Sequence, residues 1–544
     1  MPRPDAPRSA DHHSPPGAVT FITCLPPRLC AAASGKGLAR GPLPQRSLLS
    51  VGVLLVCAAA LAPVAWLSWF ALGGAGFESL NLGDEGPLQV GNTLGLVVLV
   101  GALAAGLGTG TGWLTARCEF PGRRLLRIAQ LLPLATPSYL LAATWIDLGS
   151  RFGHRIYGFG PTLAVMVLST YSYVFLLSTE SFSVSGKRQL EACRSLGVGP
   201  WGSFWRVALP MALPSIGAGV ALTGMEVVNE LGAVQLLGVP TLSSGILMRW
   251  QQEGDPQAAV ALALMALVIV GLLVGAERTL RRRSRCWTIS GGGEPEQRWS
   301  LDGPQRWLSQ LFCLTPPLLS LGLPLVWAAF SWDQLQGEDS AELLELGLRS
   351  FGLALVAAVL TVVVSLVLSI AKRWIPNAGL RRLTFAAGLG YAIPGTVLAL
   401  ALMLIGGPLA LAPLLLLVWG YVDRFLAVSK GGLDAALERI PPSVDEAATS
   451  LGQSWGGVLQ RIHLPLLRGP LLMGSLLVFV DTVKELPLTF ALRPFDFDTL
   501  AVRVYQYASD ERVGAALIPA LLILSLGLMA SAALIPSLER LEQR

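Results

Sequence analysis

EACRSLGVGPWGSFWRVALP runs from Glu191 to Pro210, and EAATSLGQSWGGVLQRIHLP runs from Glu446 to Pro465. The two stretches align without a gap at an offset of 255 residues. Both read Glu-Ala-small, three residues, Gly, nine residues, a β-branched residue, any residue, then Leu-Pro. A long pattern recurring at a fixed offset marks a duplicated unit, which has to be found before any motif is read singly. In the second copy Ser443 stands three residues before Glu446 and follows Pro441-Pro442. That is capping-box spacing, and it predicts a short helix from Ser443 that Gly452 ends. The small face at Ala447 and Ala448 would let another protein approach the helix backbone closely. Leu464-Pro465 is placed where a new helix can begin without losing a needed N–H. The first copy departs in two places: no Ser or Thr stands three residues before Glu191, and Cys193 replaces the second Ala.

What surrounds the repeat decides the class of protein. Of 544 residues, 53% are hydrophobic and only 14% charged, far more apolar than a soluble domain. Stretches near the ~20 residues that cross a bilayer recur about a dozen times. Their cores are 48–72, 89–114, 125–146, 161–179, 207–228 and 257–276, then 308–330, 349–371, 383–405, 408–422, 465–480 and 514–536. Six spans per half return the chain to its starting side, so the halves are parallel, unlike the odd-numbered halves of inverted-repeat transporters.

Basic residues fall in every second connection: Arg117, Arg123 and Arg124; Lys187, Arg188 and Arg194; Arg281, Arg282, Arg283 and Arg285; Lys372, Arg373, Arg381 and Arg382. Positive charge is retained inside, so both termini are expected in the cytoplasm. Orientation accounts for these residues, and no nucleic-acid partner is implied.

The resulting division is a disordered cytoplasmic tail at 1–46, a first half at 47–277, a basic and then Gly-rich linker at 278–306, and a second half at 307–544. The tail is rich in Pro, Ser and Arg and has too little apolar content to fold alone. Cysteines at 24, 30, 57, 118, 193, 286 and 313 lie in no external loop, so no disulfide framework is expected. No His/Cys cluster has metal-site spacing, and no stable metal site is predicted.

The duplicated loop closely resembles the signature of permease subunits of ATP-binding cassette importers: Glu-Ala-Ala, three residues, Gly, nine residues, Ile, any residue, Leu-Pro. The fused architecture, with GVPTLSSGILMRW (238–250) and KELPLTFALRPFDFDTLAVRVYQYASDER (484–512), resembles the ferric-iron class. The resemblance implies an all-α polytopic membrane protein with the type I importer permease fold, built from two parallel six-helix halves. It implies a prokaryotic cytoplasmic membrane and an external or periplasmic solute-binding protein. Two copies of a cytoplasmic ATP-binding subunit would grip the loops at Glu191, Ala192, Cys193, Gly197, Leu209 and Pro210 and at Glu446, Ala447, Ala448, Gly452, Leu464 and Pro465. The chain itself is expected to have no catalytic residues and no cofactor. Neither Gly35-Lys36 nor Gly186-Lys187 has the remaining residues of a phosphate-binding loop, so ATP-Mg belongs on the partner. A permease for thiamine or another small organic solute shares the two-loop design. An ion-coupled secondary transporter is a further alternative, which the duplicated loop disfavours.

The offset also aligns two acidic pairs. MEVVNELG (225–232) matches VDTVKELP (480–487), so Glu226 maps to Asp481 and Glu230 to Glu485. Four residues apart, each pair would share a helix face. Glu226 is sixteen residues, or ~24 Å of helix, beyond Pro210, which places it toward the external end of its span. Carboxylates at such depth are costly unless they face a protein interior or a watery cavity. Four of them around a pseudo-twofold axis would suit a hard cation, against the alternative that they are solvated helix ends or, beside Lys484, a neutralised pair. Pro137 and Pro394 lie at matching depths in the third and ninth spans and are candidates for kinks. Pro240 and Arg249, and likewise Pro494 and Arg503, are nine apart and suggest a repeated outer element.

Overall fold

A computed structural model describes residues 43–73, 82–184, 187–284, 298–332, 340–375, 377–512 and 514–542. The expected tail lies almost wholly outside the described residues, as do positions 285–297 of the linker. Each half has ten helices among the described residues, and each helix of the first half corresponds to the one ten numbers later.

In the first half these are α1 (Leu43–Gly73), α2 (Gly86–Arg117), α3 (Arg123–Ala129), α4 (Ser138–Arg151), α5 (Phe159–Val184), α6 (Lys187–Ser195), α7 (Pro200–Asn229), α8 (Gly232–Leu236), α9 (Leu242–Gln251) and α10 (Pro256–Ser284). The second half has α11 (Pro304–Phe330), α12 (Ser340–Trp374), α13 (Ala378–Ala387), α14 (Gly395–Leu409), α15 (Pro413–Glu438), α16 (Pro442–Ser450), α17 (Trp455–Lys484), α18 (Pro487–Leu492), α19 (Leu500–Ser509) and α20 (Leu517–Glu542). Eight helices are individually long and apolar enough to cross a membrane, and two bent pairs bring the number to ten among the described residues. With α15 and α20 they form two sets of six.

The bent pairs correct the reading of the third and ninth spans as plain helices. α3 and α4 meet at 92°, and α13 and α14 at 114°. Pro137 and Pro394 are the N-caps of α4 and α14, each in an extended conformation. A residue before proline is driven out of the helical region, and Thr136 and Ile393 are extended accordingly. The tenth span is also displaced. Its helix, α15, starts at Pro413 after a left-handed cap at Ala410 and continues to Glu438 through Asp423, Arg424, Lys430 and Asp434, which interrupt the apolar run that marks a span. α10 continues to Ser284, beyond the boundary read at 277. Cys118–Glu119 (β1) and Trp299–Ser300 (β2) pair in parallel, so the returning linker is fastened to the first half.

The Leu-Pro pairs do not start new helices. α7 and α17 begin at Pro200 and Trp455, and each carries a π turn, Phe204–Ala208 and Leu459–His463, just before Leu-Pro. A third π turn, Leu318–Gly322, precedes Leu323-Pro324. Proline donates no N–H and its ring clashes with the carbonyl four residues back. Widening the preceding turn relieves that clash and keeps the span continuous.

Close helix approach depends on small residues. A Cβ added at Gly108 of α2 would lie 2.7 Å from Phe175 N and 2.8 Å from Tyr171 O of α5. Backbone atoms cannot move aside as a side chain can, so Gly108→Val is expected to destabilise the fold by about 2 kcal/mol or more. Thermal unfolding in detergent measures this. The halves share one core: Met225, Val228, Ile246 and Ala263 cluster with Ile393, Leu398, Leu417 and Val478.

Candidate functional site

The repeated loops form two matching helices, α6 and α16. Each ends in the same backbone cap. Gly197 and Gly452 have φ of +74° and +81°, a conformation that costs glycine nothing. Val198 N donates to Cys193 O at 2.9 Å and Gly197 N to Arg194 O at 2.9 Å. In the second copy Gln453 N donates to Ala448 O at 3.1 Å and Gly452 N to Thr449 O at 3.0 Å. Both sets are the paired bonds of a Schellman cap.

The expected capping box is not formed. Pro441 is the N-cap, Pro442 is the first helical residue and Ser443 lies within the first turn. Proline's preset φ starts the helix without a side-chain cap. Glu191, Ala192, Glu446 and Ala447 are exposed, Cys193 is half-buried, and Ala448 is buried. The residue just before each capping glycine is an apolar side chain held out from the protein: Leu196 is 81% exposed and Leu451 83%. Leu209-Pro210 and Leu464-Pro465 follow the π turns of the two spans that leave these loops.

At the other end of α7 and α17 the halves meet around a cavity with about 130 Å³ open to the centres of water molecules. Glu226, Glu230, Asp481 and Glu485 all line it, with Tyr173, Tyr391, Asn229, Ser138, Arg424 and Lys484. The four carboxylates do not share helix faces in pairs, because α7 ends at Asn229 and α17 at Lys484. Glu230 and Glu485 are extended and begin the breaks before α8 and α18. Gly232 and Pro487 follow, residues that favour such a break.

The structure therefore divides the four. Glu230 Oε1 accepts from Ala233 N at 2.9 Å, and Ser138 Oγ donates to its Oε2 at 2.5 Å. Glu485, 5% exposed, accepts from Leu488 N at 2.9 Å, Thr489 N at 3.0 Å and Thr489 Oγ1 at 2.7 Å. These two carboxylates satisfy backbone donors freed where the chain breaks inside the membrane region. Glu226 instead accepts two phenol hydroxyls on Oε1, Tyr391 at 2.5 Å and Tyr173 at 3.2 Å. Asp481 is 2.8 Å from Lys484 Nζ. Glu226 stands in the last turn of α7, as its distance from Pro210 predicts, and Tyr173 reaches it from near the middle of α5.

The cavity is stitched across the pseudo-twofold axis. Asn229 Oδ1 accepts from Gly395 N at 2.7 Å and from Arg424 Nη1 at 3.0 Å. Its counterpart Lys484 donates to Leu134 O at 3.1 Å. Each residue thus reaches the broken span of the opposite half. Arg424 also lies 4.0 Å from Glu485. Sequence reading missed Tyr173, Tyr391, Asn229 and Arg424. The Asp423-Arg424 pair inside an apolar run was the signal for the last. The tyrosines carried none, since only the bend between α13 and α14 brings Tyr391 to Glu226.

On the outer elements, Thr241 and Thr499 are the equivalent N-caps of α9 and α19. The amides that follow them donate to Thr93 Oγ1 at 3.0 Å and Ser350 Oγ at 2.8 Å. Arg249 and Arg503 consequently occupy different turns of their helices, and the Pro–Arg spacing is not a structural repeat.

Parallel duplicated halves, a projecting capped helix in each and a polar cavity between them define a two-half membrane transport subunit. Residues 108–285 match the inner membrane component of binding-protein-dependent transport systems. The chain belongs to that family, whose members act with a solute-binding protein and an ATPase. It is 27% identical over 437 residues to the Fe(3+)-transport system permease protein FbpB 2 of Haemophilus influenzae, covering 78% of this chain and 85% of that one. It is 30% identical over 185 residues to the molybdenum transport system permease protein ModB of Escherichia coli K12, covering 30% of this chain and 80% of the relative. The sulfate transport system permease protein CysT of Synechocystis is 30% identical over 229 residues, 36% of this chain and 80% of the relative.

Proposed function

We propose that this chain is the fused permease of an ATP-driven importer that takes ferric iron from an external solute-binding protein across a prokaryotic cytoplasmic membrane. The observation that carries this reading is the similarity to the Fe(3+) permease of Haemophilus influenzae, which extends through both halves, over 85% of that relative. The cavity supports it chemically. Carboxylate and phenol oxygens are hard donors that suit a hard trivalent ion.

Two copies of an ATPase, carrying ATP-Mg, engage α6 and α16 through Glu191, Ala192, Cys193 and Gly197 and through Glu446, Ala447 and Gly452, while the buried Ala448 seats α16 on the bundle. The glycine-capped turns at Gly197 and Gly452 join each helix to a cavity-lining span, and Leu209-Pro210 and Leu464-Pro465 lie within those spans, just after their π turns. Both termini are cytoplasmic, and the first permease unit extends to the end of α10 at Ser284, the second beginning with α11 at Pro304. This chain supplies the pathway and performs no hydrolysis.

Relatives named for molybdenum and sulfate raise a second reading, an oxyanion cargo, which Arg424 and Lys484 in the cavity wall would favour. Both cations already face carboxylates, at 4.0 and 2.8 Å, and four acidic side chains against two basic ones favour a cation. Vesicles containing the permease with its ATPase and binding protein distinguish the cargoes through labelled iron, molybdate, sulfate and thiamine. ATP-dependent iron uptake is expected. Uptake of another of these solutes without iron would overturn the ferric reading.

A further inference from the structure

The two motif helices are seated differently. In the first half Leu190 of α6 is buried in an apolar cluster with Trp113, Phe182 and Phe204. At the same offset the second half has Asp445 in place of Leu190, and His463 in place of Ala208. Arg373 Nε donates to Asp445 Oδ2 at 2.7 Å. Asp445 Oδ1 lies 3.1 Å from Nε2 of the fully buried His463, within ion-pair distance but off the hydrogen-bond line. Arg373 also donates to Leu437 O at 2.8 Å, Ile440 O at 3.0 Å and Pro441 O at 3.2 Å, fixing the turn into α16. Trp374 packs on Trp455 and His463 with ring centroids 4.9 and 6.0 Å apart.

Part of this joint exists in both halves. Arg117 Nε donates to Phe182 O at 2.7 Å, and Phe182 is the equivalent of Leu437. The acid and the imidazole are additions of the second half alone. His463 ends the π turn of α17, and α17 continues without interruption to Asp481 and Lys484 in the cavity. A desolvated ionic contact fixes direction as well as distance, whereas an apolar seat tolerates sliding.

We propose that Asp445, held between Arg373 and His463, is a positioning residue that transmits movement of α16 along α17 to the cavity, so that the second loop is the directional arm of the coupling. This rests on the coupling role assigned above. The test measures iron moved per ATP hydrolysed in vesicles containing the permease, its ATPase and its binding protein, beside thermal unfolding of each permease variant. Asp445→Asn is expected to keep ATP hydrolysis but lower iron moved per ATP by about fivefold or more. Because that variant leaves Arg373 and His463 short of a partner, Asp445→Leu with His463→Ala copies the first half and restores an apolar seat. Its unfolding temperature is expected to recover while iron per ATP stays low. Leu190→Ala should do the opposite, lowering stability and leaving iron per ATP unchanged.

Iron per ATP at the unaltered level in Asp445→Asn would overturn the proposal. So would recovery of stability and coupling together in the double variant, since a purely structural contact predicts that result. Should the unaltered complex carry molybdate and no iron, the ferric reading alone falls. The same ratios are then read with molybdate.

Discussion

Replacing Leu196 and Leu451 together by Asp is expected to cut ATP-driven uptake by about a hundredfold while leaving the permease's own unfolding temperature unchanged. Both side chains are more than four-fifths exposed, so folding does not depend on them. Each is presented by the same glycine cap at the tip of a helix that projects from the bundle. A partner that closes over these leucines would bury an unpaired charge in each variant site, at a cost of about 3 kcal/mol, which is roughly a hundredfold in an equilibrium constant. Uptake into vesicles, co-purification of the ATPase and unfolding in detergent together separate loss of docking from loss of fold. Unchanged uptake would place the ATPase elsewhere.

Arg424→Met is expected to have the largest effect on stability. Arg424 is 7% exposed, lies 4.0 Å from Glu485 and donates to Asn229 across the junction of the halves. Methionine has similar length but no donor or charge, so the variant leaves Glu485 charged and buried without its cation. Breaking such a pair costs about 3 kcal/mol or more. Adding Glu485→Gln removes the stranded charge and keeps an acceptor for the Leu488 or Thr489 amide. The double variant should therefore recover much of the lost stability. Unfolding of the three proteins in detergent gives the comparison, and equal stability of Arg424→Met and the unaltered protein would show that the junction does not depend on this residue.

The repeat was readable because it is carried by residue types with fixed backbone consequences. Gly452 predicted a helix end and adopts positive φ, as does its repeat partner Gly197. The same offset that aligned the loops carried Glu226 and Asp481, with Glu230 and Glu485, into one cavity. What was not legible depended on contacts between distant segments. Glu230 and Glu485 looked like continuations of their helices, because only the structure reveals that α7 and α17 stop one residue earlier and use these carboxylates to satisfy freed amides. α15 was misplaced because a hydropathy reading penalises Asp423 and Arg424, although burial between the halves accommodates them. Ser443 had the spacing of a capping box, but Pro441-Pro442 started the helix first. Leu-Pro suggested a helix start; its effect is a π turn within a continuous span.

Glu226 and Asp481, homologous acidic positions, line one cavity, and as parts of one pathway they would favour a hard cation. The most direct measurement is ATP-dependent uptake of labelled ferric iron by vesicles carrying Glu226→Gln with Asp481→Asn, at matched permease content and with the same ATPase and binding protein. Each substitution preserves shape and hydrogen-bonding capacity and removes one charge from a site where charges are poorly screened. Uptake is predicted to fall by about tenfold or more, with ATP hydrolysis retained. Uptake at the unaltered level would contradict the account.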